Sequence, residues 1–416
     1  MLDTTTRTKK WILVAGARPN FMKIAPLIRA IHAFNDLNGG VIKPLLVHTG
    51  QHYDVNMSDA FFKDLGLPEP DINLGIGSGS HGEQTGRVLI EFERVLFQEE
   101  PDLVIVVGDI NSTIACTIAA VKLHIPVAHV EAGLRSFDRQ MPEEINRIVT
   151  DALSDYLFTP SEDGDENLLK EGIPQEKIYL VGDIMVDSLL FNLEQAKKTD
   201  ILERLGLQRK SLTDHCQLTT DYCLLTPCTV PSNVDNKESL TRIVQGLLQV
   251  SSKIPVIFPM HPRTQKQIKM FGLESDFIFY RSPDLALEDY YDSRGFKRKI
   301  HSFDPVGYLD FLNLMANSKL VLTDSGGIQE ETTVLDIPCV TLRDTTERPI
   351  TLTEGTNVLV KDDPKKIVEE TSKILNGNSK KGVCPPLWDG HTAERIVKIL
   401  TEKGKMRNIG TEKIVP

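Results

Sequence analysis

Three carboxylates stand where short apolar runs end: Asp109 closes LVIVVGD, Glu131 closes PVAHVE, and Glu143 opens MPEEINR beside Glu144. Adjacent parallel strands lie about 4.8 Å apart, so carboxylates at their ends can converge on one small ring, where mutual repulsion suits them to general acid and base work. Each also has a structural explanation. Asp109 could cap a helix begun by Asn111-Ser112-Thr113, and Glu143 or Glu144 could pair with Arg147. A second group reads as an anion site. TDSGGIQEE, residues 323–331, joins a strand to a helix through Ser325, Gly326 and Gly327. Such a turn leaves amides and the positive end of the helix dipole free to meet a diphosphate. Glu331, one turn in, could accept hydrogen bonds from ribose hydroxyls or simply act as a capping carboxylate. Arg18 and Lys23 come after the first apolar run, and Arg348 in DTTERP adds a cation that could instead pair with Asp344 or Glu347. His48, His52, His81 and His129 also lie near strand or loop ends, and each alone reads more simply as a hydrogen-bonded structural histidine.

The elements that must position these groups are short apolar runs alternating with longer amphipathic stretches. WILVAG, PLLVHT, LVIVVGD, PVAHVEAG, YLFTP and IYLVGD lie between residues 11 and 183; YCLLTP, PVIFPMH, KLVLTD, PCVTL and NVLV lie between 222 and 360. Runs without polar alternation are strands covered on both faces, so the fold class is α/β: two Rossmann-like domains with parallel sheets. The boundary falls in the polar stretch around residues 190–215. The organisation expected is an N-terminal domain over 1–190, a C-terminal domain over 191–390, and a final helix plus polar tail over 391–416. In such folds ligands sit at the carboxyl ends of the strands, which places the site in the cleft between the domains. The first turn reads Gly16-Ala17-Arg18-Pro19-Asn20, without G-x-G-x-x-G, and this disfavours a nicotinamide dehydrogenase.

At 416 residues the chain has material for two domains, and its 40% apolar and 25% charged residues are those of an ordinary globular protein. A net charge of −11 argues against nucleic-acid binding, so an anionic ligand must be met by a local basic pocket. The six cysteines contain no C-x-x-C pair, and no metal site is expected. No apolar run reaches the roughly 18 residues of a membrane span, which predicts a cytoplasmic protein without membrane association.

GARPNFMKIAPL, VVGDINST, HVEAGLRS, MPEEINR, LTDSGGIQEE and LRDTTERP, in this order, resemble the non-hydrolysing UDP-N-acetylglucosamine 2-epimerases over residues 10–403. The resemblance implies a glycosyltransferase-B-type arrangement of the two domains, a final helix returning to the first, a homodimer, and no cofactor or metal. It also implies catalysis by Asp109, Glu131 and Glu143. The substrate, a UDP-sugar, would be bound by Arg18 and Lys23 near the diphosphate, by the amides of Ser325, Gly326 and Gly327, by Glu331 at the ribose, and by Arg348 and Phe311 at the nucleotide. Gln51 and His52 resemble part of a region that could bind a second substrate molecule as an allosteric activator. The reaction implied is inversion at C2 of UDP-N-acetylglucosamine to give UDP-N-acetylmannosamine, a precursor of surface polysaccharide. It would run through elimination of UDP to a 2-acetamidoglucal and then re-addition.

One segment departs from the family. Where it has Thr-x-His-Arg before Asn-Val-Asp, this chain reads Thr226-Pro227-Cys228-Thr229-Val230-Pro231-Ser232-Asn233-Val234-Asp235, without the His-Arg pair and with one residue inserted. Compensating frame shifts in a stretch encoding Leu-His-Arg-Pro produce Pro-Cys-Thr-Val-Pro for one choice of codons. The altered segment keeps open a catalytically impaired UDP-sugar-binding homologue, and a glycosyltransferase of the same fold is a further alternative.

Overall fold

The structure, a computed structural model, describes residues 7–50, 66–209, 217–218, 220–226, 231–285, 287–292 and 295–409. The chain divides into two compact units, residues 1–191 with 386–416 and residues 192–385.

The first unit is built on seven strands: β1 (Lys9–Ala15), β2 (Ile42–His48), β3 (Ile72–Asn73), β4 (Leu103–Val107), β5 (Val127–Val130), β6 (Tyr156–Thr159) and β7 (Ile178–Leu180). They pair in the order β3-β2-β1-β4-β5-β6-β7, all parallel. Every residue of β4 and β5 is buried, which is why their sequences lack polar alternation. Chain order reverses between β1 and β4, and at such a switch point the loops leaving the two strands diverge and open a crevice. Asn20, on the first turn of helix Arg18–Asn38, ties its two sides together. Its Oδ1 accepts from the amides of Gly16 and Ala17 at 3.2 and 3.0 Å, and its Nδ2 donates to the Val107 carbonyl at 3.1 Å.

The C-terminal return is anchored within this unit. The Trp388 indole donates to the Pro160 carbonyl at 2.9 Å, and the buried carboxylate of Asp187 accepts from the amides of Thr392 and Ala393 at the start of helix Thr392–Ile409. At Gly182, φ +93°, a Cβ would lie 2.1 Å from the Leu387 carbonyl oxygen, so glycine is required for the return to pass.

In the second unit a short ribbon pairs β8 (Gln208–Arg209) with β9 (Gln217–Leu218). The main sheet contains β10 (Cys223–Leu225), β11 (Val256–Pro259), β12 (Phe277–Phe279), β15 (Ile300–Phe303), β16 (Leu320–Thr323), β17 (Cys339–Thr341) and β18 (Asn357–Leu359). A second ribbon, β13 (Tyr291–Asp292) with β14 (Gly295–Phe296), lies between β12 and β15 in the chain. The sheet order is β12-β15-β11-β10-β16-β17-β18, again all parallel, with the switch between β10 and β16. Helices Lys237–Val250 and Pro364–Leu375 pack on it through Leu240, Ile243, Val244, Leu247, Ile367 and Ile374. Three sheet strands were not marked by apolar runs. β3 has two residues, β12 has three, and β15 is IHSF, whose inward His301 and Ser302 break the pattern.

His301 sets a pH limit on this unit. It is buried, its Nδ1 lies 3.0 Å from the Tyr280 hydroxyl, and its Nε2 has no partner among the described residues. Burial, reinforced by the positive charge of Lys297, pushes it down to about 4. Unfolding releases a ring that titrates near 6.5, so its contribution to stability is complete above that pH and is lost as pH falls towards 4. Replacing His301 by Gln should therefore reduce the loss of stability between pH 7.5 and pH 5 by about 2 kcal/mol. Urea titration monitored by hydrogen exchange at residues 300–303 measures it, and an unchanged pH dependence would contradict the assignment.

Candidate functional site

At the switch point of the first unit, charges that strands and helices would otherwise keep in water are buried and paired. Lys23, on helix Arg18–Asn38, is only 7% exposed, and its Nζ lies 2.5 Å from Glu131 Oε2. Glu131 comes just after β5 with φ +70°, a left-handed conformation that costs a non-glycine residue on the order of 1 kcal/mol or more and re-aims its side chain. Its other oxygen, Oε1, is buried without a partner among the described residues. The pair lies over Gly108, φ +65°, where a Cβ would come within 2.9 Å of Lys23 Nζ and 3.8 Å of Glu131 Oε2. Glycine at 108 thus lets the ion pair close directly beside Asp109.

The Asp109 side chain does not cap helix Asn111–Lys122, whose N-cap residue is Ile110. It faces helix Pro142–Leu153 instead. Arg147 contacts Asp109 Oδ2 through Nε at 2.9 Å and Nη2 at 2.8 Å, while its Nη1 meets Glu144 Oε2 at 2.5 Å. Asn146 Nδ2 donates to the Asp109 carbonyl at 2.8 Å. Of the two adjacent glutamates, it is Glu144 that takes the structural position, accepting also from the Ser136 and Phe137 amides at 3.0 and 2.9 Å. The side chain of Glu143, half-buried on the first turn of the same helix, has no hydrogen bond or ion pair with any described residue. Glu131, Lys23 and Asp109 are therefore grouped around Gly108, and Glu143 lies on the first turn of the helix whose Asn146 and Arg147 hold Asp109.

The switch point of the second unit carries the glycine turn. Thr226, just after β10, meets Thr323 at the end of β16, Oγ1 to Oγ1, at 2.6 Å, and Thr323 Oγ1 also accepts from the Ser325 amide at 3.0 Å. Ser325 is the N-cap of helix Gly326–Val334, and its side chain makes no capping bond. At Gly326 a Cβ would lie 2.3 Å from Arg348 Nη1, so glycine is needed here for the guanidinium to lie on the turn. Arg348 is buried. It donates to Glu330 through Nε and to Glu347 Oε1 through Nη1 at 2.6 Å, while Arg343 holds the other oxygen of Glu347 at 3.0 Å. Asp344, the alternative partner, pairs with Lys361. Gln329 fixes the Arg348 loop to the helix, accepting from Thr346 at 2.7 Å and from Asn357 at 2.9 Å and donating to the Ser325 carbonyl at 3.3 Å. Gly327 lies in the same first turn. Glu331 is buried one turn further on, and burial together with its charge pushes the Tyr308 phenol well above its usual range. Tyr308 begins helix Tyr308–Ala316, which also carries the half-buried Phe311.

Gln51, His52 and residues 227–230 lie outside the described residues, as does the side chain of Arg18. Asn20, Gly108 and Gln329 fall inside the quoted motifs but, like Tyr308, carry no residue type that marks them out as site residues. Their positions depend on contacts between elements far apart in the chain.

The family model for UDP-N-acetylglucosamine 2-epimerase matches residues 37–401. A UDP-N-acetylglucosamine 2-epimerase of Methanocaldococcus jannaschii is 45% identical over 394 residues, covering 94% of this chain and 99% of the relative. A UDP-2,3-diacetamido-2,3-dideoxy-D-glucuronate 2-epimerase of Pseudomonas aeruginosa is 41% identical, covering 94% and 99%. The crystal structure of the M. jannaschii enzyme in complex with UDP-GlcNAc and UDP is similar with a TM-score of 0.79 at 44% identity, covering 94% of this chain and 99% of that one. That of the Neisseria meningitidis enzyme bound to UDP-GlcNAc gives 0.77 at 29% identity, covering 94% and 100%. With six motifs in order and a match along nearly its whole length, the chain belongs to the UDP-N-acetylglucosamine 2-epimerase family.

Proposed function

We propose that this protein interconverts UDP-N-acetylglucosamine and UDP-N-acetylmannosamine by anti elimination of UDP and re-addition through an enzyme-held 2-acetamidoglucal, supplying a surface polysaccharide precursor in the cytoplasm. The observation that carries this reading is the group around Gly108, with Glu131 held by Lys23 through one oxygen and Asp109 held by Arg147.

The C2 proton of a 2-acetamido sugar has no neighbouring carbonyl to acidify it. Departure of UDP from C1 with oxocarbenium character removes that obstacle, and a carboxylate can then take the proton to leave the C1–C2 double bond of the glucal. Protonation of C2 from the opposite face and re-addition of UDP at C1 complete the inversion. Two faces require two proton-transfer groups, and Asp109, Glu131 and Glu143 can supply them. The unbonded Oε1 of Glu131 is an oxygen available to a proton. Leaving UDP is met by the helix start at Ser325, Gly326 and Gly327 with Arg348, by Glu331 at the ribose, by Phe311 at the base, and by Arg18 and Lys23 near the diphosphate. Gln51 and His52 are assigned to a second substrate molecule acting as activator. Ile90 and Phe97, exposed seven residues apart on helix His81–Glu99, offer an apolar strip for a homodimer.

A second reading, a UDP-sugar binder with little turnover, rests on Cys228 and Thr229. In the sequence they follow Thr226 by two and three residues, and the Thr226 hydroxyl is hydrogen-bonded to Thr323 at the end of β16, the strand that leads into the glycine turn. A thiol is a weak donor and a threonine hydroxyl carries no charge, so neither replaces a histidine or an arginine at a departing diphosphate.

Product formed in deuterium oxide should carry deuterium at C2, because the new proton comes from an exchangeable enzyme group; retention of the original hydrogen, read by NMR, would rule out the mechanism. Amide replacement of Asp109, Glu131 or Glu143 should lower turnover by roughly 10² or more while UDP still binds by calorimetry. Near-normal turnover in all three variants would end the carboxylate assignment. Replacing Pro227 through Pro231 by Leu-His-Arg-Pro should raise turnover of UDP-N-acetylglucosamine at saturation at least about ten-fold, the effect of about 1.4 kcal/mol at the leaving group. Equal rates in two folded, UDP-binding forms would place the segment outside the working site.

A further inference from the structure

Behind the Asp109 turn lies a buried charged chain that the proposed chemistry does not use. His129 sits in β5, two residues before Glu131, with no exposed surface. Its Nδ1 is 2.6 Å from Asp151 Oδ1, and its Nε2 is 2.8 Å from the carbonyl oxygen of Gly108. Asp151, on helix Pro142–Leu153, is fully buried, and its second oxygen accepts from the Gly133 amide at 3.1 Å and from Arg135 Nη1 at 2.8 Å. Arg135 in turn grips Glu171 through Nε and Nη2 at 2.8 and 2.7 Å. Burial alone would push the Asp151 carboxyl up, but the His129 and Arg135 charges and hydrogen bonds outweigh it and hold it below the usual range. With its Oδ2 accepting at once from the Arg135 guanidinium and the Gly133 amide, Asp151 is a carboxylate on geometry alone. A carboxylate and a carbonyl only accept hydrogen bonds, so a ring bonded to both donates from both nitrogens.

The bond to Gly108 matters because Gly108 and Asp109 share a peptide group. The Gly108 amide donates to the Val130 carbonyl at 3.1 Å, so with His129 on its carbonyl both peptide groups of a left-handed glycine are held. The carbonyl of Asp109 is held by Asn146 and its carboxylate by Arg147. The peptide plane between Gly108 and Asp109 is the remaining freedom, and His129 removes it.

We infer that His129 is a positioning residue of the epimerase: as a doubly protonated ring seated on Asp151, it locks the Gly108 carbonyl and thereby aims the Asp109 carboxylate. This rests on the assignment of Asp109 to the chemistry. Asparagine and glutamine separate the two bonds of the ring. The Asn amide nitrogen falls near the position of His Nδ1 and can still serve Asp151, whereas the Gln amide nitrogen reaches the position of Nε2 and can still serve Gly108.

His129→Asn should lose about 10² in kcat, the scale of a misplacement of about 1 Å at a catalytic group, with UDP affinity within two-fold of the parent. His129→Gln should stay within about ten-fold of the parent kcat. If the ring merely fills the core or supports Asp151, the Asn variant will be as active as the Gln variant or more active, and that order overturns the inference. A measurement on the unsubstituted protein needs neither turnover nor a tolerated substitution. Nitrogen-15 NMR of histidine-labelled protein should show both His129 ring nitrogens protonated at pH 7.5, and one unprotonated nitrogen overturns the inference. Asp109→Asn is run alongside. If it is inactive while the Asn and Gln variants of His129 are equal, the inference fails and the carboxylate assignment stands; if it is fully active, both fail.

Discussion

Lys23 and Glu131 form an ion pair at 2.5 Å, nearly out of reach of water, over a residue that has no side chain. Neither charge could be buried alone, because desolvating one ion costs several kcal/mol and only a close partner offsets it. The first unit is arranged to make that closure possible. Asn20 holds the helix that brings Lys23 to the ends of β1 and β4, a left-handed backbone turns Glu131 inward, and Gly108 leaves the space between them. The chain from buried His129 through Asp151 and Arg135 to the exposed Glu171 supports the same loops from behind, so the strand ends around Gly108 are held by paired charges on both sides.

The second unit meets the same requirement with other residues. Its cation, Arg348, is buried against two carboxylates, Glu330 and Glu347, and lies on Gly326, where any side chain would displace it. A guanidinium pre-set in this way loses little freedom when an anion arrives, which is the advantage of Arg over a flexible Lys at such a turn. The amide network of Gln329, Thr346 and Asn357 makes the Arg348 loop and the helix start one rigid piece. Both units thus use one plan: a glycine at the switch point, a cation laid over it, and carboxylates to keep that cation in place.

The two plans differ in what they leave open. In the first unit carboxylate oxygens remain, on Glu131, on Glu143 and on the one-third exposed Asp109, and these suit proton transfer. In the second the uncapped start of helix Gly326–Val334 offers amides, which suit an anion. An elimination in which a diphosphate departs while a carbon acid gives up its proton needs one of each.

Much of this was legible in the sequence, for local reasons. Unbroken apolar runs mark strands buried on both faces, and eleven such runs identified eleven of the fourteen strands in the two main sheets. TDSGGIQEE and DTTERP marked the turn and its arginine because glycine and charge at a strand end have few other uses. β3, with two residues, and β15, whose IHSF carries polar residues with partners elsewhere in the fold, escaped, as did β12, although FIF is no shorter than β7, β10, β17 or β18. Partner choice escaped as well. Whether Arg147 takes Glu143 or Glu144, whether Arg348 takes Asp344 or Glu347, and whether Asp109 caps a helix or meets an arginine are equal on spacing alone. Helical phase and sheet register decide them, giving Arg147 to Glu144 and Asp109, and Arg348 to Glu330 and Glu347. Residue type and strand-end position determined which groups could do chemistry; only the packed structure decided which of them are held by partners and which keep an oxygen free, because that depends on distances between residues 20 to more than 100 positions apart, such as Lys23 and Glu131.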